Sequence, residues 1–309
     1  MTAIFYALPA NDVLAERLAI GADGEAGSLC VRNFPDGESF VRVDTDPSGA
    51  DAVIVATLRH PNELLAPLLF LADGLHDLGA HRVGLVAPYL AYLRQDARFN
   101  SGEAITSRTF AQLLSTHVDW LVTVDPHLHR YASLDAIYPI PTSVVHAAPS
   151  IGAWIGQHVA NPWILGPDAE SRQWAEQVAA AAGAPVSILS KTRRGDDDVL
   201  ETIPALEAHR DRTPVLVDDI VSTGQTMIAA IRHLREGGAP SAVCLAVHAV
   251  FAPGAHDVLA AAGPARIVTT NTIPHASNAI DIVPALADAI RAVLTPATVE
   301  ARGQLLHAG

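Results

Sequence analysis

Short apolar runs alternate along this chain with longer segments whose apolar residues recur every three or four positions, and the rhythm occurs twice. In the first half the apolar runs fall at 3–8, 52–56, 83–87 and 120–124, and each predicts a buried strand. Amphipathic stretches at 12–20, 61–78 and 105–115 predict helices between them. Residues 29–32 and 40–43 flank a Pro35-Asp36-Gly37 turn and predict a hairpin. The second half reads the same way, with strands at 163–165, 186–190, 215–217 and 243–249. Its helices are predicted over 147–157, 170–182, 227–235, 255–262 and 284–293. Strands that alternate with helices of this length form βαβ units, hence parallel sheets covered on both faces. Ile140-Pro141-Thr142 reads as the connection between two similar α/β domains, residues 1–142 and 143–283. The helix at 284–295 is expected to pack back on the first.

Composition narrows the class. The chain has 309 residues, half of them hydrophobic and only 17% charged, which suits two filled cores and excludes disorder. No apolar run reaches 18 residues and no basic-then-apolar leader opens the chain, so a soluble, cytoplasmic protein is expected. The two cysteines, Cys30 and Cys244, lie in separate apolar segments and are expected as buried, reduced thiols. A net charge of −13 argues against nucleic acid, which needs a basic face. Phosphate substrates remain open to it, because a few arginines and a divalent cation reverse the sign locally. Of the 20 basic residues, 19 are arginine; the one lysine is Lys191. A compact ammonium kept at one position suggests chemistry that a guanidinium does not supply.

The sharpest stretch runs from Val215 to Met227. An apolar strand ends in Asp218 and Asp219, and the small-residue loop Ser222-Thr223-Gly224-Gln225-Thr226 leads straight into a helix. Strand, polar loop and helix N-terminus hold a phosphate with backbone N–H groups and the helix dipole. Gly224 permits close approach, and the hydroxyls add donors. The two carboxylates sit where a sugar diol or a metal is gripped. An ordinary capped strand end is the plain alternative; a phosphate and a diol together describe a ribose phosphate.

In parallel sheets ligands collect beyond the carboxyl ends of the strands, and other polar residues fall there too. Pro88-Tyr89 leads to Arg94-Gln95-Asp96-Ala97-Arg98, suited to a triphosphate and a base edge or to a solvated loop. Asp125-Pro126-His127-Leu128-His129 offers two histidines but too few ligands for structural zinc. Asp168 follows the strand at 163–165, where a helix N-cap would be unremarkable. Lys191-Thr192-Arg193-Arg194-Gly195, followed by three aspartates, reads as an irregular surface loop or a mobile catalytic one. There is no GxxxxGK[ST] and no GxGxxG, so P-loop and dinucleotide-binding readings lack their defining feature.

These motifs together resemble the ribose-phosphate diphosphokinase (phosphoribosyl-diphosphate, or PRPP, synthetase) family, closer to its archaeal-type members, over nearly the whole chain up to residue 295. The matching motifs are Phe34-Pro35-Asp36-Gly37-Glu38, Arg94-Gln95-Asp96, Asp125-Pro126-His127, Lys191-Thr192-Arg193, the Asp218–Thr226 loop and Thr270-Asn271-Thr272-Ile273-Pro274. The resemblance implies two phosphoribosyltransferase-like domains, the substrates ATP and ribose 5-phosphate, Mg²⁺ and a homo-oligomer of at least two subunits. It assigns Lys191 and Arg193 to catalysis. Phe34, Asp36, Gly37, Glu38, Arg94, Gln95, Asp96, Arg98 and His127 fall to ATP, the first four of these reaching it from a neighbouring subunit. Arg193, Asp218, Asp219, Ser222, Thr223, Gly224, Gln225 and Thr226 fall to ribose 5-phosphate, and His127 and Asp168 to the metal. Two departures stand out: Ala97 replaces a usual basic residue, and Ala169-Glu170-Ser171 replaces a glycine-rich turn. A salvage phosphoribosyltransferase would share the Asp-Asp loop but needs neither the Asp36–Glu38 nor the Arg94–Asp96 element. A non-catalytic regulatory relative would have lost the Lys-x-Arg segment or the metal residues.

Overall fold

In a computed structural model, residues 2–166, 171–194, 197–202 and 206–295 are described, with the backbone alone over 190–194 and 197–202. The first half contains β1 (Ala3–Ala7), α1 (Asp12–Gly21), β2 (Glu25–Ala26), β3 (Leu29–Asn33), β4 (Ser39–Val43), β5 (Asp51–Val55), α2 (Pro61–Asp77), β6 (Arg82–Ala87), α3 (Thr106–Ser115), β7 (Trp120–Val124) and β8 (Thr142–Val145). The second contains α4 (Ala148–His158), β9 (Pro162–Gly166), α5 (Arg172–Ala182), β10 (Val186–Ile188), β11 (Ser190–Arg194), β12 (Asp197–Thr202), β13 (Thr213–Val221), α6 (Gln225–Glu236), β14 (Val243–Ala249), α7 (Ala255–Ala261), β15 (Arg266–Thr270), β16 (Asn278–Ile280) and α8 (Val283–Leu294).

Two six-stranded parallel sheets result, ordered β2-β1-β5-β6-β7-β8 and β10-β9-β13-β14-β15-β16. The orders are the same once the sequence is offset by one half, so β1 answers to β9, β5 to β13 and β7 to β15. The antiparallel hairpins β3–β4 and β11–β12 stand outside the sheets at matching places. Sequence reading expected the segment around Lys191 to be irregular, yet its backbone is a paired strand, with Lys191 opposite Leu200 and Arg193 opposite Asp198. Ile140-Pro141-Thr142 likewise leads into the edge strand β8, paired with β7. The chain therefore leaves the first sheet only after Val145.

Strand alternation divides the core. Phe5, Val53 and Val55 face one way; Ile4, Tyr6 and Ile54 face the other. The first set joins Trp120, Ile151, Ile164, Val215, Val243 and Leu286 in one apolar cluster that runs through both halves. The helix after each sheet crosses to the other half: α4 packs on α5 and α8 on α1, β7 and β8. Polar links reinforce this exchange, including Thr57 Oγ1 donating to the Thr272 carbonyl at 3.0 Å and Arg59 to the Phe251 carbonyl at 3.1 Å. The carboxyl ends of the two sheets are thereby held face to face. Cys244 is buried on β14, and burial pushes its thiol up to about 12, whereas Cys30 on β3 is only half-buried.

Candidate active site

β13 does not stop before Asp218 but continues to Val221. Its neighbour β9 pairs with it only as far as Leu216, while β14 follows it to Val221 opposite Ala249. Anchoring on one side alone lets the Asp218-Asp219 backbone stay extended while both residues line an open cleft. The Asp219 N–H donates to Asp218 Oδ1 at 3.0 Å. Beyond Ser222, Gly224 adopts φ 70° as the N-cap of α6, a left-handed conformation that glycine takes without strain. Gln225 and Thr226 form the first turn of α6, and a helix N-terminus favours an anion at the loop before it.

The cleft has a volume of about 760 Å³. Ser222 and the two aspartates form one wall; Asp125, His127 and His129 beyond β7 form the other. Arg94, Thr142, Val144, His146 and residues Gln173, Trp174 and Gln177 of α5 complete it. The site thus lies between the two sheets, with walls from each.

His127 Nδ1 stands 2.5 Å from Asp219 Oδ2. Burial alone would raise the Asp219 carboxyl, but the hydrogen bond and charge of His127 hold it below the usual carboxylate range. The turn that delivers His127 is tightly held. Asp125 has φ 30°, in the left-handed region for a non-glycine residue. Its carboxylate accepts from the Ala147 N–H at 2.9 Å and meets His146 Nδ1 at 3.0 Å. That hydrogen bond raises the His146 pKa. The His129 ring lies edge-on to His127, 3.9 Å between centroids.

Of the other residues singled out in the sequence, Arg94 lines the cleft. Gln95 reaches Glu103 at 3.5 Å, and Arg98 Nε donates to the Glu103 carbonyl at 2.9 Å. Asp96 is buried and accepts from Arg130 Nη1 at 2.7 Å, so it ties the Arg94 loop to the His127 loop. Phe34, Asp36, Gly37 and Glu38 form the tip of β3–β4, away from the cleft of their own chain. There Asp36 Oδ1 accepts from the Glu38 N–H at 3.2 Å, Gly37 takes φ 94°, and Phe34 is exposed beneath Arg32. Asp168 lies outside the described residues, and Lys191 and Arg193 are described by backbone only. The sequence did not single out His146, Trp174 or His248. The only signal available for His146 and His248 was position near a strand end, and Trp174 reads as one residue of the helix predicted over 170–182.

The donor chemistry suits a hard cation. Carboxylates and the imidazoles of His127, His129 and His146 line the cleft, and among the described residues no cluster of three or more His, Cys, Asp or Glu forms a cage of its own. Mg²⁺ is commonly held this way, by one or two protein ligands together with water and substrate phosphates.

Residues 3–117 match the family described as the N-terminal domain of ribose phosphate pyrophosphokinase, and residues 135–279 match the phosphoribosyl transferase domain. A ribose-phosphate pyrophosphokinase of Methanopyrus kandleri is 34% identical over 279 residues, 90% of this chain and 94% of that protein. One from Halobacterium salinarum is 35% identical, again over 90% of this chain and 96% of the relative. Among solved structures, phosphoribosylpyrophosphate synthetase from Mycobacterium smegmatis superposes with a TM-score of 0.83 at 29% identity, covering 95% of this chain and 99% of that one. With two matching domains and relatives aligned nearly end to end, the chain belongs to the ribose-phosphate pyrophosphokinase family.

Proposed function

We propose that this chain transfers the β,γ-diphosphoryl group of ATP to the 1-hydroxyl of ribose 5-phosphate, giving PRPP and AMP. The observation that carries this reading is the His127–Asp219 contact, in which the nucleotide wall of the cleft meets the ribose wall. In the reaction the anomeric oxygen attacks the β-phosphorus, the bond to the AMP oxygen breaks, and the hydroxyl proton is lost to the medium. Asp218 and Asp219 hold the ribose diol as hydrogen-bond acceptors. The 222–226 loop and the N-terminus of α6 hold the 5-phosphate. Arg94 and Gln95, steadied by Asp96 and Arg98, take the adenosine end. Lys191 and Arg193, whose backbone belongs to β11, are assigned to neutralise charge on the transferring group.

His127 and Asp168 are assigned as the residues that would hold Mg²⁺, which would supply charge neutralisation for the diphosphoryl transfer. The first sheet with α8 is assigned to the nucleotide and the second sheet to the ribose phosphate. Since Phe34, Asp36, Gly37 and Glu38 lie away from their own cleft, they are assigned to the ATP of a neighbouring subunit, which requires at least a dimer. Purified protein with Mg²⁺, ATP and ribose 5-phosphate is expected to release AMP. No AMP, together with reaction of PRPP and a free base, would replace this reading by a salvage transferase.

A further inference from the structure

His248 lies on β14, paired across the ladder with Ile220 of β13 and 1% exposed. Its ring reaches out of the second sheet to the end of β7 in the first. Nε2 stands 3.2 Å from the Val124 carbonyl and 3.3 Å from the Asp125 carbonyl. Carbonyls only accept, so Nε2 carries the proton and Nδ1 must accept. Thr272 Oγ1, 2.9 Å from Nδ1, is the donor that fixes this tautomer. Thr270 Oγ1, 2.8 Å from the Val247 carbonyl, can satisfy that acceptor and leave the Thr272 proton for the ring. The Thr272 carbonyl in turn accepts from Thr57. Tyr89 closes the pocket edge-on at 5.0 Å.

The two carbonyls that His248 grips flank the strained Asp125 turn, φ 30°. The turn is restrained elsewhere by the Asp125 N–H donating to the Val145 carbonyl at 3.0 Å and by the carboxylate contacts to Ala147 and His146. All of those restraints come from the chain that continues the first sheet. His248 alone among these partners comes from the second half, from the strand beside the one that carries Asp219. It therefore relates the His127 turn directly to the ribose wall. A non-glycine residue at positive φ persists only when its surroundings over-determine it.

We propose that His248 is a positioning residue: it clamps the Val124 and Asp125 carbonyls to β14 and so holds His127 at working distance from Asp219. The inference rests on His127 acting in the diphosphoryl transfer proposed above. His248 takes no proton from substrate; burial lowers its pKa and keeps the ring neutral. A merely space-filling histidine would matter for folding alone.

The test is AMP formation by the full-length protein with Mg²⁺, ATP and ribose 5-phosphate. His248→Phe keeps an aromatic ring in the pocket and removes the N–H donor, and its kcat is expected to fall about 10- to 100-fold, the range for a lost orienting partner. His248→Gln, which restores an amide donor, is expected to recover part of that loss. In a His127→Ala background, His248→Phe should add no further loss, since its effect passes through His127. If His248→Phe does not fold, Thr272→Val carries the test, because it leaves the ring and removes the hydroxyl that sets the tautomer; a several-fold drop in kcat is expected. Unchanged kcat in the folded variant used, or an undiminished loss in the His127→Ala background, overturns the proposal. Should His127→Ala itself turn over normally, the role of His127 fails, and with it this inference.

Discussion

His127 and Asp219 are 92 residues apart, one on the turn after β7 of the first sheet and the other on β13 of the second, yet Nδ1 and Oδ2 approach to 2.5 Å in the cleft. The pair exists because each half ends a strand there and the exchanged helices α4 and α8 keep the halves in register. Asp219→Asn keeps the size of the side chain but removes the charge that His127 answers and turns one of the two acceptor oxygens offered to the ribose diol into an NH2 donor. The KM for ribose 5-phosphate is expected to rise at least about 10-fold, in line with the roughly 1.5–3 kcal/mol of a charged hydrogen bond. The KM for ATP should move much less. Initial rates against each substrate check this, and equal effects on both would place Asp219 outside the ribose wall.

Lys191 is the one ammonium in the chain and is assigned to charge on the transferring group. Contacts made only in the transition state lower kcat when removed and leave binding intact. Lys191→Ala is expected to cost on the order of 10²–10³ in turnover. Calorimetric binding of ATP and of ribose 5-phosphate should stay within a few-fold of the parent. Near-normal turnover would remove Lys191 from the mechanism.

Much of this was legible in one sequence. The two-fold rhythm of strands and helices gave the doubled sheet, because alternation and 3.6-residue periodicity are local properties. The Asp218–Thr226 loop was readable because its spacing is local as well, whereas His127 stood out only through the family resemblance. The continuation of β13 through the aspartates was not, since it depends on the pairing with β9 reaching only Leu216 while that with β14 goes on. Nor was the β11–β12 pairing, where charge suggested a loop and backbone pairing overrode it. His248 reads in sequence as one polar residue in an apolar strand. Its meaning comes from carbonyls more than 120 residues away.

Trp120 is fully buried on β7 directly opposite Gly84 of β6, and its indole occupies the space where a side chain on Gly84 would lie. A Cβ built there falls 2.0 Å from the ring. The indole is walled in by the shared core, so it has little room to give. Gly84→Val is expected to destabilise the fold by more than about 2 kcal/mol, toward the upper part of the overpacking range. Urea titration followed by tryptophan fluorescence measures it, and an unchanged midpoint would mean that the indole repacks freely.

Asp51 on β5 is buried and accepts from Arg82 Nε at 2.9 Å and Nη2 at 2.8 Å, with His81 Nδ1 at 3.0 Å. Arg82 also reaches the Val293 and Leu294 carbonyls at the end of α8. Burial raises the carboxyl, but the hydrogen bonds from Arg82 and His81 outweigh it and the pKa is lowered. A carboxylate with a folded-state pKa below its unfolded value stabilises above the unfolded value, about pH 4, and that stability is lost as pH falls through the folded one. Asp51→Asn should therefore cost roughly 1–3 kcal/mol at pH 7. The gap to the parent should narrow below pH 4. Thermal melts across pH 2–7 check the sign; a gap that widens in acid would refute the ion-pair account.

The β3–β4 hairpin supplies the last prediction. Phe34 sits at its tip, T-shaped against Phe40 at 6.1 Å, with the Arg32 guanidinium 4.7 Å above its ring. This stacking stiffens a tip that, among the described residues, does not line its own chain's cleft, a geometry suited to covering a purine held by another subunit. Phe34→Ala should raise the KM for ATP about 10-fold, as expected for losing an aromatic stacking partner worth roughly 1–1.5 kcal/mol. The stronger test mixes two impaired proteins after reversible dissociation, one carrying Phe34→Ala and the other Lys191→Ala. If the hairpin serves a neighbour, a mixed assembly contains sites that join an intact Lys191 in one subunit to an intact Phe34 from the next. Activity should then rise above the average of the two parents. If the hairpin served its own subunit, every site would keep one defect, and mixing would restore nothing.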